Sequence, residues 1–414
     1  MDAILEKGPE IFFLVLKIFS FYFAGLAVFG LLKPKAPPET EQQLKFAVLL
    51  PARNEESCIA AAVESILRQN YPPELVDVFV IPNNCTDDTA GAALRAGAKL
   101  LSVPPSVRSK GAALQEAARQ LLCPETDYDA FCVFDADNEA DPNFLSAMNR
   151  SLCGEARVAK SRILAKNASQ SWVCTCYEIY FCFANVFLNR ARAVLGLSAR
   201  LIGTGFGLRR DFLEEIGGFP AETITEDAEF FALCAARGEK ITFCEAAVTY
   251  DEEPLSFRTS LIQRRRWMSG IMQVTGLKMK ELLSAIPKKQ GGLRALDACL
   301  QLCFGYVQAL LPFALLFTWL ADWEAALASL PLSLLLGYGA AVAQALAALL
   351  LQRRFRASLL PGILLYPLFL FSFVPLQSLA LLWRIRVWQE IPHTGVRQFT
   401  AEKARAPMQQ CIRS

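Results

Sequence analysis

Long apolar runs enclose a central region of the chain in which apolar and polar residues alternate on a shorter scale. Residues 10–32 form one such run, interrupted only by Lys17. Three more runs follow the central region, at 296–320, 325–351 and 358–383. Each is long enough to cross the hydrocarbon core of a bilayer as a helix, which takes about 20 residues. The pattern predicts a transmembrane anchor within residues 1–33 and transmembrane segments within residues 296–383.

The central region, residues 45–254, alternates short apolar runs with stretches of helical periodicity. The apolar runs are typical of buried strands and lie at 45–50, 75–81, 98–103 and 130–134. The helical stretches lie between them, at 55–69, 86–96 and 110–122. A linker rich in proline and polar residues, 34–44, precedes this region. We therefore predict an α/β fold with a Rossmann-like, mostly parallel sheet that binds its ligands beyond the carboxyl ends of the strands.

Two further stretches combine apolar surface with arginine. Residues 170–195 carry many aromatic side chains and end in a segment that contains Arg190 and Arg192. This stretch is either a core helix or an interfacial helix whose basic end meets lipid headgroups. Residues 255–295 are predicted to form amphipathic interfacial helices and contain the sequence Gln-Arg-Arg-Arg-Trp. Beside transmembrane segments, such a basic cluster is usually a headgroup anchor.

Composition narrows the classes of function. The chain has 414 residues, of which 53% are hydrophobic, and its net charge is only +2. The apolar content supports a membrane protein, and the small net charge gives no reason to expect nucleic acid as a partner. The 13 cysteines show no paired spacing and are expected to be buried thiols. The single histidine, His393, cannot build a metal site alone, so any metal is expected to be held by oxygen.

Carboxylates at a strand end are the clearest candidate chemistry. Asp135 and Asp137 directly follow the apolar run at 130–134. Their spacing suits a hard divalent cation that bridges to a diphosphate. The alternative is an ordinary turn that leads into a helix capped at Asp141.

Seven motifs resemble those of membrane-embedded family-2 glycosyltransferases, which include cellulose and hyaluronan synthases, and they occur in the same order. The motifs lie at 51–55, 83–87, 110–111, 135–137, 203–210, 225–227 and 263–267. The resemblance covers residues 45–275 and implies a GT-A fold, a nucleotide-sugar donor and a divalent metal, Mg²⁺ or Mn²⁺.

The resemblance also implies roles for individual residues on the donor side. The implied contacts are Glu55 and Asn83 to uridine, Lys110 to the pyrimidine or phosphate, Asp135 to the ribose, Asp137 to the metal, and Gln263 and Arg266 to the diphosphate. The family usually has an acidic pair where this chain has Pro82-Asn83. An amide can still hydrogen-bond a uracil edge, so we expect nucleotide binding to be kept.

On the acceptor side, Asp227 is our candidate for the general base. Glycosyl transfer with inversion needs a carboxylate to take the proton of the acceptor hydroxyl, and the start of a helix keeps such a carboxylate ionised. The alternative is that Thr225 and Asp227 only cap the helix. Trp267 is expected to stack on an acceptor sugar, and Gly205 to let the backbone approach it. Arg264 and Arg265 then remain as headgroup contacts.

We therefore expect an inverting glycosyltransferase that builds and translocates a β-linked polysaccharide at the membrane. One alternative is transfer of a single sugar to a membrane lipid, and another is an inactive carbohydrate-binding or scaffold protein. The expected location is the plasma (inner) membrane, with several spans and a cytosolic catalytic domain. The pattern indicates no oligomeric state.

The tail, residues 384–414, looks cytosolic and contains a segment at 388–394 that resembles the gating segment of processive synthases. Three complete spans after the catalytic domain would instead export the tail. Prolines within 358–383 would resolve this conflict by breaking the last segment into a re-entrant or interfacial element.

Overall fold

The computed structural model describes residues 2–383, 385 and 395–398, with side chains from residue 8 onward. The strands are β1 (Phe46–Ala52), β2 (Val76–Pro82), β3 (Lys99–Leu100), β4 (Ala130–Val133), β5 (Glu139–Ala140), β6 (Val158–Ala165), β7 (Phe206–Arg209) and β8 (Ile241–Asp251). The helices are α1 (Asp2–Phe29), α2 (Ile59–Leu67), α3 (Thr89–Arg95), α4 (Lys110–Leu121), α5 (Phe144–Cys153), α6 (Trp172–Phe183), α7 (Ala191–Val194), α8 (Arg210–Glu215), α9 (Glu226–Arg237), α10 (Phe257–Ala285), α11 (Gly292–Ala321), α12 (Trp323–Leu351), α13 (Leu360–Phe371) and α14 (Phe373–Leu382). A π-helical segment, Ala184–Arg190, joins α6 to α7.

The strands form one mixed sheet in the order β3-β2-β1-β4-β7-β6-β8-β5. β1 to β4 run parallel, which confirms the predicted βαβ pattern, whereas β7 is antiparallel to both β4 and β6. The loops that follow β1, β2 and β4 therefore leave the sheet at the same edge. Ligands of open α/β sheets bind at this edge, and the predicted donor residues Glu55, Asn83 and Asp135 lie in these loops.

Two apolar cores cover the two faces of the sheet. One packs α2, α3 and α5 against Phe46, Val48 and Leu50 of β1. The other packs α4, α8 and α9 against Ala47 and Leu49. Successive side chains of a strand point to opposite faces, so β1 is buried on both. The second core continues into α10 and α11 and so joins the α/β region to the apolar helices.

The stretch predicted at 170–195 is a core helix. Nine of the 12 residues of α6 are buried, and the helix packs against β6, α12 and α13. Its basic end does not face headgroups. Arg192 is fully buried and donates to both carboxylate oxygens of Asp297, at 2.9 and 3.0 Å, and Arg190 pairs with Glu245. The interfacial alternative is therefore wrong for these arginines.

Four helical segments are long and apolar enough to cross a membrane, as the sequence predicts: Gly8–Leu31, Gly292–Ala321, Trp323–Leu351 and Ala357–Leu382. α11 and α12 form a hairpin whose distal half is exposed. Between residues 323 and 340, α12 has no buried side chain.

The fourth apolar segment is broken into α13 and α14 at Ser372. Pro375 explains the break, because it lacks an N–H group and its ring clashes with the carbonyl group four residues earlier. α13 packs along α6, and α14 packs along α10 and α11. Arg264 of α10 holds the break by donating to the carbonyl oxygen of Phe369 at 2.9 Å and to Oγ of Ser372 at 2.8 Å. The helix is thus interrupted at Ser372, whereas the re-entrant or interfacial character of this segment stays a prediction.

The residues described after α14 lie beside the α/β region and α10. The carbonyl oxygen of Ile385 accepts from Gln273 Nε2 at 2.8 Å. Further on, the backbone N–H of Gln398 donates to Glu139 Oε1 at 2.8 Å. The gating segment predicted at 388–394 lies outside the described residues.

Candidate active site

A lysine joins four of the sequence motifs. Nζ of Lys110, the first residue of α4, contacts Oδ1 of Asp135 at 2.5 Å, Oε1 of Glu226 at 3.0 Å and the carbonyl oxygen of Gly203 at 2.5 Å. Burial opposes the charge of Lys110, but the carboxylates of Asp135 and Glu226 outweigh it and raise its pKa above the ordinary value. The end of β4, the start of α4, the glycine motif and the start of α9 therefore meet at one ammonium group.

Sequence reasoning predicts no chemistry for Glu226, yet its side chain belongs to this cluster. Burial raises the pKa of Glu226, Lys110 lowers it, and the neighbouring Asp227 raises it further. Without the lysine, two adjacent carboxylates would repel each other in a buried site. Lys110 pairs with Glu226 at 3.0 Å and so offsets this repulsion.

Asp227 is held by two backbone N–H groups. Oδ2 accepts from Gly203 at 2.7 Å, and Oδ1 accepts from Ala228 at 2.8 Å. The side chain of Thr225 makes no capping hydrogen bond to α9. A capping role alone therefore does not account for this motif. The two donors fix the position of the carboxylate, and a general base must be held in place in this way.

The residues predicted to contact the base of the nucleotide lie on adjacent loops. Asn83 is 5% exposed, and its Nδ2 donates to the carbonyl oxygen of Ser109 at 3.4 Å. Ser109 is the N-cap of α4, so Asn83 lies next to the start of this helix, whose first residue is Lys110. Glu55, in the loop after β1, accepts a hydrogen bond from Sγ of Cys58 at 3.0 Å. Both residues remain predicted uridine contacts.

Asp137 is the predicted metal ligand, and its surroundings suit a divalent cation. The carboxylate is almost buried, at 7% exposure. Oδ1 of the adjacent Asn138 is buried without a hydrogen-bond partner among the described residues. No three histidines, cysteines or carboxylates of the described chain form a closed metal site. One carboxylate with neutral oxygens fits Mg²⁺ or Mn²⁺, because such ions complete their shell with substrate phosphates and water.

Lys166, which sequence reasoning missed, binds the backbone of the loop that carries Asp137. Its Nζ donates to the carbonyl oxygen of Asp137 at 2.8 Å and contacts carboxylate oxygens of Glu139 at 3.7 Å and Glu252 at 3.2 Å. The lysine side chain is 1% exposed. A buried lysine between two carboxylates holds the loop without leaving an isolated charge.

The Gln-Arg-Arg-Arg-Trp motif divides between the site and the membrane-side helices. Arg266 faces the site: burial lowers its pKa, while the carboxylates of Asp135 and Glu226 act in the opposite direction. Gln263 Oε1 accepts from the hydroxyl group of Tyr177 at 2.7 Å. The indole of Trp267 lies edge to face with the same tyrosine ring, with centroids 6.0 Å apart. Gln263 and Trp267 are therefore oriented by α6.

The two arginines that follow Gln263, Arg264 and Arg265, are predicted from the sequence to contact lipid headgroups. Arg264 is fully buried, and its guanidinium lies 4.0 Å from the ring centroid of Phe369. Arg265 Nη2 reaches the carbonyl oxygen of Trp383 at 3.5 Å. Arg264 therefore holds the α13–α14 break, and the prediction that it is a headgroup contact is wrong. For the half-buried Arg265, the headgroup contact stays a prediction.

Of the two glycines in the Gly-Thr-Gly motif, Gly203 borders the site and Gly205 does not. A Cβ atom at Gly203 would lie 3.3 Å from Asp135 and 3.8 Å from Asp227. Gly205 has a φ of +61°, and a Cβ atom there would overlap Ser161 and Thr249 at 2.3 and 2.2 Å. The structure therefore does not bring Gly205 to the site, because that glycine packs against β6 and β8 instead of a ligand.

A cavity of about 670 Å³, including its open mouth, extends from Asp227 toward the membrane-side helices. Its walls come from α6, α9, α10, α11 and the loop at 200–202. Trp267 and Ile271 line it on α10, and Leu302 lines it on α11. The wall is mainly apolar, and Arg200 is the cation in it. The predicted base therefore opens onto an apolar chamber that touches a candidate span.

Lys160 lies fully buried beneath the Gly-Thr-Gly motif and was not predicted as part of the site. Its Nζ donates to the carbonyl oxygen of Thr204 at 2.8 Å. Burial lowers the pKa of Lys160 to about 7, against the opposing effect of Asp251 and Asp135. Its charge is therefore sensitive to pH near neutrality.

Comparison with known families agrees with this geometry. The model of the family described as Glycosyltransferase like family 2 matches residues 43–270, more than half of the chain. The chain belongs to this family, and its α/β region has the GT-A fold. The resemblance seen in the sequence motifs is confirmed.

Among curated proteins, the chain is similar to the probable glycosyltransferase YdaM of Bacillus subtilis (strain 168), with 27% identity over 57% of this chain and 57% of that protein. It is also similar to the beta-monoglucosyldiacylglycerol synthase of Nostoc sp. (strain PCC 7120 / SAG 25.82 / UTEX 2576), with 27% identity over 56% of this chain and 50% of that one. Cellulose synthase 1 of Komagataeibacter xylinus is 23% identical over 63% of this chain but only 17% of its own length. The matches to the first two relatives thus span only about half of their length.

Among solved structures, the mannosyltransferase PcManGT from Pyrobaculum calidifontis superposes with a TM-score of 0.59 at 18% identity. The superposition covers 92% of this chain and 99% of that one. The likeness of fold therefore extends beyond the α/β region to the helices that follow it.

Proposed function

We propose that this protein transfers a single hexose from a nucleotide-diphosphate sugar to a hydroxyl group of a membrane lipid, with inversion at the anomeric carbon. The observation that carries the proposal is the cavity that begins at Asp227 and ends at Leu302 of α11. Apolar walls between the base and a candidate span suit the upper part of a lipid better than a chain of sugars, whose hydroxyl groups need polar partners.

The membrane helices favour the same proposal over polymer export. A polysaccharide needs a lined path across the bilayer, and in the described chain the distal halves of α11 and α12 are exposed instead of lining one. Similar proteins include both kinds of enzyme, named as beta-monoglucosyldiacylglycerol synthases and cellulose synthases. The lipid acceptor thus has a named precedent among the relatives.

The transfer step uses groups that the cluster supplies. The acceptor oxygen forms a bond to the anomeric carbon, while the bond from that carbon to the diphosphate oxygen breaks and its electron pair leaves with the nucleoside diphosphate. The carboxylate of Asp227 accepts the hydroxyl proton. Lys110 and Arg266 bear positive charge beside the site and stabilise the departing phosphates.

A divalent cation bound at Asp137 would supply further charge to the leaving diphosphate. The structure of the mannosyltransferase PcManGT is described in complex with GDP-Man and Mn²⁺. We propose Mg²⁺ or Mn²⁺ for this chain as well. Both UDP-sugars and GDP-sugars need testing as donors, because Asn83 replaces the acidic residue that the resemblance implies for uridine.

We also propose that the α/β region and the tail lie in the cytosol at the plasma (inner) membrane. α1, α11 and α12 would cross, whereas α13 and α14 would lie at the interface. Leu360, Leu364 and Leu368 point outward from α13 at 45 to 54% exposure and would face lipid. This arrangement removes the parity conflict, because two crossings after the α/β region return the chain to the same side.

Polymer synthesis remains the second candidate, since Trp267 lines the cavity at the position expected to stack on an acceptor sugar. The two are separated by supplying labelled donor sugars to purified protein in liposomes and extracting with organic solvent. The proposal predicts label in the lipid phase, with one hexose per lipid by mass spectrometry. Label that stays in a high-molecular-mass product would contradict it.

A further inference from the structure

We propose that the lipid acceptor carries an anionic phosphodiester next to its reacting hydroxyl, and that Arg200 binds this anion. The inference rests on the proposed function, because it names the chemical class of the lipid that enters the cavity at Asp227. Phosphatidylglycerol, a phosphodiester whose headgroup ends in hydroxyl groups, represents the class.

The charge of Arg200 has no protein partner that accounts for it. Arg200 lines the same cavity as Asp227, yet no ion pair joins its guanidinium to a carboxylate of the described chain. The hydrogen bonds of the Asp227 carboxylate go to the backbone N–H groups of Gly203 and Ala228 and not to Arg200. The guanidinium of Arg200 is therefore available to a ligand that enters the cavity.

The backbone fixes Arg200 relative to the base. Its N–H group donates to Oδ1 of Asn189 at 2.9 Å, and the preceding residue, Ala199, donates to the carbonyl oxygen of Ile241 at 2.9 Å. Three residues later, Gly203 donates to Asp227. One short loop thus carries the cation at one end and orients the base at the other.

Asp227 and Arg200 would bind different chemical groups of one acceptor molecule. Asp227 needs a hydroxyl group with a proton to lose, because a phosphate monoester oxygen is already deprotonated at neutral pH and needs no base. Arg200 needs an anion, for which phosphate oxygens are the best match in geometry. The walls between and beyond them, including Ile271 and Leu302, are apolar and suit acyl chains or the glycerol backbone.

The cavity reaches α11 within a candidate membrane span, Gly292–Ala321. Leu302 lies ten residues after Gly292, which is about 15 Å along the helix at 1.5 Å per residue. A lipid beside α11 can therefore present its headgroup to Asp227 without leaving the membrane.

The test compares two acceptors in detergent micelles of one composition: phosphatidylglycerol and diacylglycerol with the same acyl chains. Both offer a hydroxyl group, and only the first offers an anion. We expect wild-type protein to favour phosphatidylglycerol in kcat/KM. In Arg200→Gln this preference should fall by about ten- to a hundred-fold, which is the value of one charge-assisted hydrogen bond. Arg200→Lys should recover part of it.

Arg258→Gln is the matched control, because Arg258 is an exposed arginine on α10 that does not line the cavity. It should keep the wild-type preference, which separates Arg200 from general attraction to an anionic surface. Phosphatidylmethanol, which has the phosphodiester but no free hydroxyl, should inhibit transfer to diacylglycerol by the wild-type protein and much less by Arg200→Gln.

Wild-type protein that glycosylates diacylglycerol at least as well as phosphatidylglycerol would overturn the inference and leave the proposed function standing. Label in a polymer, with neither lipid modified, would overturn both. The wild-type comparison needs no variant, so it decides the question even where Arg200→Gln does not fold.

Discussion

The donor half and the acceptor half of the candidate site are built by different means. The donor half is a dense polar cluster at the ends of β1, β2 and β4, where Lys110 joins Asp135 to Glu226. The acceptor half is an apolar cavity between α9, α10 and α11, and both Arg200 and Asp227 line it. Asp227 touches both. Under the proposed function, the donor half offers charge to a diphosphate, and the acceptor half shields a lipid acceptor from water.

The largest effect is expected where the halves meet. Asp227→Asn should lower kcat by about a thousand-fold, within the range for loss of a general base, because an amide cannot accept the hydroxyl proton. Donor affinity, measured by titration of the nucleotide sugar into purified protein, should stay within a few-fold of wild type. Loss of donor binding in this variant would assign Asp227 to the donor half instead.

A second substitution breaks the donor half alone. Asp137→Asn should lower turnover by about a hundred-fold or more, because the metal loses its charged ligand, and the concentration of Mn²⁺ that gives half-maximal activity should rise. Activity is measured across a Mn²⁺ series for wild-type protein, for this variant and for Asp141→Asn, a control that follows β5 directly. Equal metal dependence in all three proteins would remove Asp137 from the metal site.

The arginine motif on α10 offers a structural test of how the α13–α14 segment is held in place. Arg264→Met should lower the temperature of half-unfolding in detergent by several degrees, because it removes the two hydrogen bonds that the buried guanidinium donates to the carbonyl oxygen of Phe369 and to Oγ of Ser372. Arg265→Met, its neighbour, makes one long contact to Trp383 and should change this temperature little. Equal losses in the two variants would argue against Arg264 as the holder of the α13–α14 break.

The smallest effect concerns pH. The folded pKa of Lys160 is about 7 and its ordinary value is 10.5, so the unfolded chain binds more protons between these values. Stability should therefore rise with pH through this window, while the cost of the buried charge is fully present below pH 7. Lys160→Met removes that cost, so its stability relative to wild type should be greatest at low pH and decline as pH rises. Thermal unfolding at pH 6 and pH 9 checks this.

For comparison, Lys280→Met replaces an exposed lysine on α10 and should show no such trend. A constant difference between Lys160→Met and wild type at both pH values would mean that Lys160 keeps its charge throughout.

The donor half could be predicted from sequence because its chemistry is local. Strand ends place Glu55, Asn83 and Asp135 at one edge whatever the rest of the fold does, and the predicted strands and helices of this region match β1 to β4 and α2 to α4. Single residues such as Glu226 were missed, because a carboxylate beside a stronger candidate carries no separate signal.

The acceptor half could not be predicted in the same way, because helix packing over long sequence separation creates it. Arg200 meets Leu302 only after α11 folds back on α9 and α10. The burial of Arg264 and Arg192 likewise depends on distant partners, Phe369 and Asp297. In the sequence, a basic residue beside an apolar run looks the same whether its side chain contacts lipid headgroups or a buried partner. The sequence pattern therefore does not predict which of the two occurs.

The most direct test of the account fills the acceptor cavity. Ile271→Trp places an indole in the wall of the cavity that Asp227 and Leu302 also line, and Leu277→Trp makes a similar change at an exposed position of α10. Thermal unfolding checks that both variants fold. The measurement is the rate of sugar transfer to lipid in liposomes, together with donor affinity. The account predicts that Ile271→Trp loses at least about ten-fold in transfer and keeps donor affinity, while Leu277→Trp keeps both. Undiminished transfer to lipid in a folded Ile271→Trp protein would contradict it.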